Sequence, residues 1–499
     1  MPYHPLGRIA HLHVRYRLKR THLIFLLLVG LVACKKDKNS SIVPPPSPPV
    51  PPIQAKSVIV TLDESHPGYA ISPNFQGLSL ETDLLTNDPD FLNVNNTTLV
   101  QLLKNLGPGI VRIGGGTSDL IGWTGQPRNA SDGPGMLTTS DVDRLAAFSK
   151  AVDWQVIFGL NMSNNDQGAA RDEATYAANA LGSRLYAFQA GNEPDMFGRE
   201  GLRPSTYDVY TYSKDWDGYY SCIKKQLPQA QFAGPDVANN TEWVNLFVKD
   251  ESTNLNMLDA HFYATGPATA SYITKADILS PSFGLAAYLD NLNNQSSQYK
   301  IPYRITECNS IWGGGKPGVS DTFAATLWAL DFMWQVATKN GQGINFHGGT
   351  LRKANLYYSP ILNMNGKFAA MPEYYAMLAF RYASAGSKII PAPINDDTIA
   401  NCSAYACVDS EGNYNVTLIN KEMDKDVEFT LNVGKSAGLA RIWRLTAPSL
   451  DDKSDVKFAG SSVNDDGTFV PGAGESKAVS QGSLVIKMPA GSAAVVTIH

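Results

Sequence analysis

Leu185-Tyr186-Ala187-Phe188-Gln189-Ala190-Gly191-Asn192-Glu193-Pro194 runs from an apolar, strand-like segment through a glycine to a lone glutamate, and a proline then breaks the structure. A second stretch repeats the design, with Ile301-Pro302-Tyr303-Arg304-Ile305-Thr306 leading into Glu307, Cys308 and Asn309. A strand that delivers a carboxyl group where it finishes is what a parallel barrel uses to present chemistry at one rim. The separation of the two glutamates along the chain leaves room for three strand-plus-helix units.

Working outward, short apolar strands are expected at Asn74 to Glu81, Ile110 to Gly114, Gln155 to Asn161, Leu185 to Ala190, Gln231 to Val237, Leu258 to Ala264, Tyr303 to Glu307 and Gly343 to His347. Helical patterns lie between them. The clearest helix is expected from Asp321, after a capping Ser320, through Phe323, Leu327, Leu330 and Trp334. Eight such units predict an α/β fold, a (β/α)8 barrel, with insertions accounting for the length above the ~250 residues typical of it. After Ala385 the residues alternate, as in Asn413-Tyr414-Asn415-Val416-Thr417-Leu418-Ile419, and turn signals such as Asp465-Asp466-Gly467 separate the runs. This reads as a β-sandwich, which the strand-like Ser57 to Leu62 is expected to rejoin.

The N-terminus reads as a targeting segment. Arg15, Arg17, Lys19 and Arg20 precede an apolar run from Leu23 to Ala33, too short to span a bilayer comfortably. Leu31-Val32-Ala33-Cys34 ends it and resembles a bacterial lipobox, in which Cys34 becomes the lipidated first residue; an ordinary signal peptide is the alternative. A proline-dense stretch from Pro44 to Pro52 follows as an extended tether. The expected division is a signal peptide over 1–33, the tether over 34–56, a strand over 57–72, the catalytic barrel over 73–385 and the β-sandwich over 386–499.

With 499 residues and 43% hydrophobic content the chain can bury a large core, and a formal charge of −5 argues against nucleic acid as a partner. Export permits a disulfide, and Cys402 and Cys407 are the pair close in sequence. Cys308 beside Glu307 has no Cys/His signature and reads as a small buried side chain rather than a nucleophile. Gly313 to Gly318 fits a dinucleotide pattern, but Pro317 and the absence of an immediate helix spoil a phosphate cradle. Gly434-Lys435-Ser436-Ala437-Gly438 fits a serine-hydrolase elbow without its strand-turn-helix context and reads as a turn. His66, His261, His347 and His499 show no metal-ligand spacing, so no metal or cofactor is expected.

Two carboxyl groups across one bond are what glycosidic cleavage requires. Asn192 would set an amide beside Glu193. His261 and Tyr263, alternate residues of the sixth strand, would project into the same mouth, where Tyr263 can donate to a carboxylate. The combination of Gly191-Asn192-Glu193-Pro194, Ile305-Thr306-Glu307 with Gly313-Gly314-Gly315, Ser320-Asp321-Thr322-Phe323-Ala324-Ala325, Ile157 to Asn161 and Val111 to Gly115 resembles the heparanase and bacterial β-glucuronidase family of retaining glycoside hydrolases, from about Phe75 to Tyr382.

The resemblance implies Glu193 as acid/base, Glu307 as nucleophile and Tyr263 as its hydrogen-bond donor. It also implies that Glu81 touches sugar hydroxyls, that Gly313 and Gly314 bind a uronate carboxylate through backbone N–H groups, and that one of the adjacent Tyr357 and Tyr358 helps hold it. The Lys/Arg cluster that lines the clefts of members cutting inside heparan chains is missing, which argues against an endo-acting role on sulfated polymers. The resulting expectation is a lipid-anchored, exported β-glucuronidase removing terminal glucuronic acid, or its 4-O-methyl form, from glycans. A barrel glycosidase for a neutral sugar and a non-catalytic glycan-binding surface lipoprotein are the alternatives.

Overall fold

The computed structural model describes residues 55–349, 356–364, 366–395, 399–434 and 437–499. The expected leader, Cys34 and most of the tether lie outside the described residues, as does Ser436. No helix among the described residues is long and apolar enough to cross a membrane.

Each of the eight expected barrel strands is present: Gly77–Glu81, Gly109–Gly114, Trp154–Leu160, Leu185–Ala190, Ala233–Ala238, Met257–Thr265, Tyr303–Ile311 and Ile344–Gly348. They pair in parallel in the order fourth, third, second, first, eighth, seventh, sixth, fifth, and a bridge between Phe188 and Phe232 joins the fourth to the fifth. The ring is therefore nearly closed. Helices cover its outside and side chains fill its inside, so strands such as Gly109–Gly114 are buried along their whole length.

Two-residue periodicity sorts the interior into layers. Ile110, Ile157, Ala187, Ala233 and Met257 form an apolar plug toward the strand beginnings. One step further along, Arg112, Gln189 and Asp259 replace it with a buried polar layer. Two bulges modify that alternation. Register slips beside Asp236 in the fifth strand and beside Thr306 in the seventh. At the second slip consecutive residues both serve the interior: Thr306 Oγ1 donates to Asp236 Oδ1 at 3.0 Å while Glu307 reaches Arg112.

The helix after the seventh strand starts later than expected, as Phe323–Thr338 with Thr322 at its N-cap. Ser320 and Asp321 are engaged in closing the glycine loop instead: Ser320 Oγ accepts the Lys316 N–H at 3.0 Å and Asp321 Oδ1 accepts the Gly318 N–H at 2.6 Å. The helix is buried on almost every side, because the C-terminal sheet covers the face the barrel leaves open.

That sheet follows one hydrogen-bonded path through Lys388–Ile390, Cys402–Val408, Tyr414–Asn420, Ser492–Ile498, Ala437–Thr446, Glu475–Ser480, Ser483–Met488, Val427–Asn432, Lys56–Thr61 and Ile394–Asn395. Val58, Val416, Leu418, Phe429, Ile486 and Val496 come from distant points on the path yet share one core, so the sheet folds over into a two-layered β-sandwich. Lys56–Thr61 pairs in parallel with Val427–Asn432, setting Val58 against Phe429. Cys402 and Cys407 do not form the disulfide that their proximity suggested. They occupy one strand five positions apart, roughly 16 Å and on opposite faces, whereas a bridge needs Cα atoms within about 7 Å. Cys407 Sγ donates to Ala383 O at 3.0 Å.

Barrel and sandwich are joined by a buried polar cluster. Asp331 of the helix Phe323–Thr338 accepts from Tyr405 OH and from Lys421 Nζ, each at 2.7 Å, and Trp334 stacks on Tyr405 with centroids 5.6 Å apart. Asp331→Ala would leave the Lys421 ammonium buried and unpaired, which costs about 3–5 kcal/mol. We expect this substitution to lower the thermal midpoint by several degrees. Asp290→Ala, which removes the half-exposed partner of Lys339, serves as the control and should leave the midpoint nearly unchanged.

Candidate active site

The fourth strand ends at Ala190, and Gly191 (φ 79°) and Glu193 (φ 49°) then turn the chain across the barrel mouth. A left-handed glutamate is an uncommon conformation for a residue with a side chain. It is held by its own N–H, which donates to Asp236 O at 2.9 Å, and by Met196 N–H donating to Glu193 O at 2.8 Å. Glu307 rises from the bulge of the seventh strand opposite. An oxygen of each glutamate and a ring nitrogen of His261 all lie within 4.8 Å of one another.

The surroundings of the two carboxyl groups differ. Glu307 Oε2 accepts from Arg112 Nη1 at 2.8 Å and lies 3.3 Å from His347 Nδ1, while Oε1 accepts from Tyr263 OH at 2.8 Å. Burial alone would favour the neutral acid, but His347, His261 and Arg112 outweigh it and hold Glu307 well below the usual carboxylate range. Around Glu193 burial wins: its carboxyl is raised despite the hydrogen bond from His261. The two carboxyl groups are therefore shifted in opposite directions, Glu307 toward the ionised form and Glu193 toward the protonated one, the kind of divergence that separates an acid from a nucleophile.

Arg112 organises the floor. Besides Glu307, its guanidinium donates to Gln189 Oε1 at 3.0 Å, Ser79 Oγ at 3.1 Å and Asn192 Oδ1 at 2.7 Å, and pairs with Asp236. Asn192 is fixed from behind as well, since its N–H donates to Asp119 Oδ2 at 2.8 Å. Glu81, ending the first strand, accepts from Thr117 N at 2.9 Å, and its other oxygen lies 3.6 Å from His347 Nε2. At Gly115 (φ 71°) a Cβ would sit 2.4 Å from the Glu81 carboxyl, so the chain passes that side chain only as glycine.

Gly313 (φ 87°) and Gly314 (φ 95°) follow the seventh strand. The Gly314 carbonyl accepts from Tyr357 N at 2.7 Å, and its N–H faces the hydroxyl of Tyr358, partly offsetting the burial that raises that phenol. The two tyrosines thus part company. Tyr358 is buried beside Tyr263 and His347, with ring centroids 6.1 and 5.9 Å away, whereas Tyr357 is half-buried and meets Gly314 through its backbone.

The structure thus gathers Glu81, Asn192, Glu193, His261, Tyr263, Glu307, Gly314 and Tyr358 at one mouth; Gly313, next in the loop, is exposed with Ala268 as its near neighbour, Tyr357 meets Gly314 through its backbone, and Cys34 lies outside the described residues. Sequence reading passed over Arg112, Asp236 and His347. The signal was there: Arg112 and Asp236 are charged residues inside apolar strands, where a charge persists only with buried partners. Glu193, His261 and Glu307 have the spacing of a cation site, yet both His261 nitrogens already face carboxyl oxygens and Arg112 already supplies positive charge to Glu307.

An eight-stranded parallel barrel that sets an acid and an ionised glutamate at its mouth defines a barrel glycoside hydrolase. Residues 404–495 match the Glycosyl hydrolase family 79 C-terminal beta domain. This match and the relatives that follow support glycoside hydrolase family 79. It is 24% identical over 403 residues to a beta-glucuronidase of Aspergillus niger, covering 72% of this chain and 70% of that one. It is 21% identical over 396 residues to heparanase of Bos taurus, covering 66% and 69%. Among solved structures, a 4-O-alpha-L-rhamnosyl-beta-D-glucuronidase from Fusarium oxysporum 12S, in complex with Rha-GlcA, shares the fold at a TM-score of 0.71 and 23% identity, covering 88% of this chain and all of that one.

The opposed shifts fix the expected pH dependence. If Glu307 acts ionised and Glu193 protonated, as the resemblance implies, kcat/KM should fall at low pH through the lowered value of Glu307 and at high pH through the raised value of Glu193. In Arg112→Gln, Glu307 loses a cation that favours its charge. Its acid limb should move to higher pH and kcat/KM should drop by roughly ten-fold or more, measured as pH–rate profiles on a chromogenic glycoside with folding checked by circular dichroism.

Proposed function

We propose that the protein is a retaining β-glucuronidase that removes terminal glucuronic acid, or its 4-O-methyl form, from glycans, with Glu307 as nucleophile and Glu193 as acid/base. The observation that carries the mechanism is the short gap between two carboxyl groups whose proton affinities are shifted in opposite directions. Retaining enzymes set these groups about 5–5.5 Å apart, while inverting ones need about 6.5–9.5 Å to admit a water.

In this reading Glu307 Oε1, whose tie is to the neutral Tyr263 hydroxyl, attacks the anomeric carbon as Glu193 gives its proton to the departing oxygen. Water then attacks the glycosyl-enzyme, Glu193 takes its proton, and Glu307 leaves. Asn192, its carboxamide oxygen held by Arg112, offers the amide nitrogen to a sugar hydroxyl, and Glu81 accepts from another. The Gly313 and Gly314 N–H groups with the Tyr358 hydroxyl supply donors for the uronate carboxylate without a cation. The glucuronidase names of the relatives support the same sugar.

A panel of 4-nitrophenyl glycosides tests this reading. The β-glucuronide should be turned over faster than the β-glucoside by at least ten-fold, and NMR of the first product should show the β-anomer. Preference for the glucoside would favour the neutral-sugar alternative, and an initial α-anomer would sink the double displacement.

We also infer export and lipid anchoring at Cys34, from the basic region, the short apolar run and the Leu31-Val32-Ala33-Cys34 sequence. Bacterial cells grown with labelled palmitate should label the wild-type chain and not Cys34→Ser. Absence of label from the wild type would overturn the anchor.

A further inference from the structure

His261 stands between two carboxyl groups. Its Nδ1 lies 2.9 Å from Glu193 Oε1 and its Nε2 lies 2.8 Å from Asp236 Oδ1. Asp236 is fully buried, sits at a strand bulge with φ 58°, and gives its other oxygen to Arg112, whose guanidinium reaches on to Glu307. One buried carboxylate therefore has an arm to each reacting group. An imidazole that meets a carboxyl oxygen at both nitrogens satisfies both contacts as a double donor.

We propose that Asp236 and His261 form a positioning unit for the acid/base: Asp236 holds His261 as an imidazolium, and its Nδ1–H fixes Glu193 through Oε1. The proposal rests on Glu193 being the acid/base. With Oε1 accepting from the ring, the acidic proton is carried on Oε2. As that proton passes to the glycosidic oxygen, the bond from that oxygen to the anomeric carbon breaks and its electron pair stays with the leaving group. The charge then left on Glu193 is met by a cation already in place. When water later attacks, its proton returns to Glu193. His261 and Asp236 keep their own states in both steps.

The neighbours agree with this assignment. Asp259, from the same strand as His261, is pushed up to about 8 by burial and by the Asp236 charge, so near neutral pH the negative charge around the ring comes from Asp236 and Glu307 rather than from Asp259. Arg112 approaches from the second strand, Glu307 from the seventh, Asp119 from the loop after the second and Asp195 from the loop after the fourth, and Tyr288 OH donates to the His261 carbonyl at 3.0 Å. Burial works against a charged ring, and the carboxylates of Asp236 and Glu307 outweigh it, raising His261 well above the ordinary histidine value.

Nitrogen NMR of 15N-histidine-labelled native protein tests the ring directly. His261 should remain doubly protonated at pH 7 to 8, and a neutral tautomer there would overturn the proposal. Its resonance is assigned by comparison with His261→Gln. The second readout is the pH profile of His261→Gln and Asp236→Asn. Glu193 should become harder to ionise in both, moving the alkaline limb of kcat/KM up by roughly 1 to 3 pH units. Turnover of glucuronides with poor leaving groups should fall about ten- to a hundred-fold, and that of the 2,4-dinitrophenyl glucuronide much less. A fall in rate with the alkaline limb unmoved would make these residues merely structural. If the native protein hydrolyses no glycoside, the glucuronidase reading fails while the NMR still decides the state of the ring.

Discussion

The guanidinium of Arg112, almost wholly buried in the barrel, is the interaction on which the site depends. Removing a cation from water is costly, and the cost is offset only when every donor finds an acceptor and a counter-charge lies in contact. Arg112 meets both conditions with five side chains from four strands or the loops that follow them: Ser79, Gln189, Asn192, Asp236 and Glu307. The same bonds that make the buried charge tolerable fix the positions of Glu307 and of the Asn192 amide beside Glu193. Stability of the floor and geometry of the mouth are one requirement.

That requirement explains where the backbone departs from regular form. A strand alternates sides, so a regular seventh strand would send Thr306 and Glu307 to opposite faces. The register slip brings both inward, one to Asp236 and the other to Arg112. Asp236 and Glu193 adopt positive φ within hydrogen-bonding distance of each other's backbone, and strain of this sort persists where surrounding contacts over-determine it. The two irregular strands supply the residues that the regular ones cannot place.

The barrel was legible in the sequence because strands buried on both faces are nearly unbroken apolar runs, and seven of the eight ended within a residue of where the structure ends them; the seventh, expected to stop at Glu307, runs on to Ile311. Glu193 and Glu307 were legible because each is a lone glutamate following an apolar run, although Glu307 proves to sit at a bulge in mid-strand rather than at the strand end. Arg112 and Asp236 were not, since a charge within an apolar run carries no mark of its partners, which lie on other strands and meet it only after closure. The start of the helix at Phe323 was misplaced for a related reason: Ser320 and Asp321 are good capping residues, but the glycine loop takes both. Adjacent tyrosines at 357 and 358 could not be separated from spacing alone, because what distinguishes them, the packing of the Tyr358 ring beside Tyr263 and His347, comes from other strands and forms only on folding.

Charge balance links the floor to the sugar. At the mouth, Arg112, His261 and His347 face Glu307 and Asp236, and burial shifts Glu193 toward its neutral form. A lysine or arginine placed to receive a uronate would stand near Glu307 as well, deepening the stabilisation of its charge and weakening it as a nucleophile. Backbone N–H groups and a tyrosine hydroxyl bind a carboxylate through dipoles whose influence falls away faster with distance than that of a full charge. On the proposed reading, the glycine loop recognises the sugar's anion while leaving the ionic state of the nucleophile to Arg112 and His347.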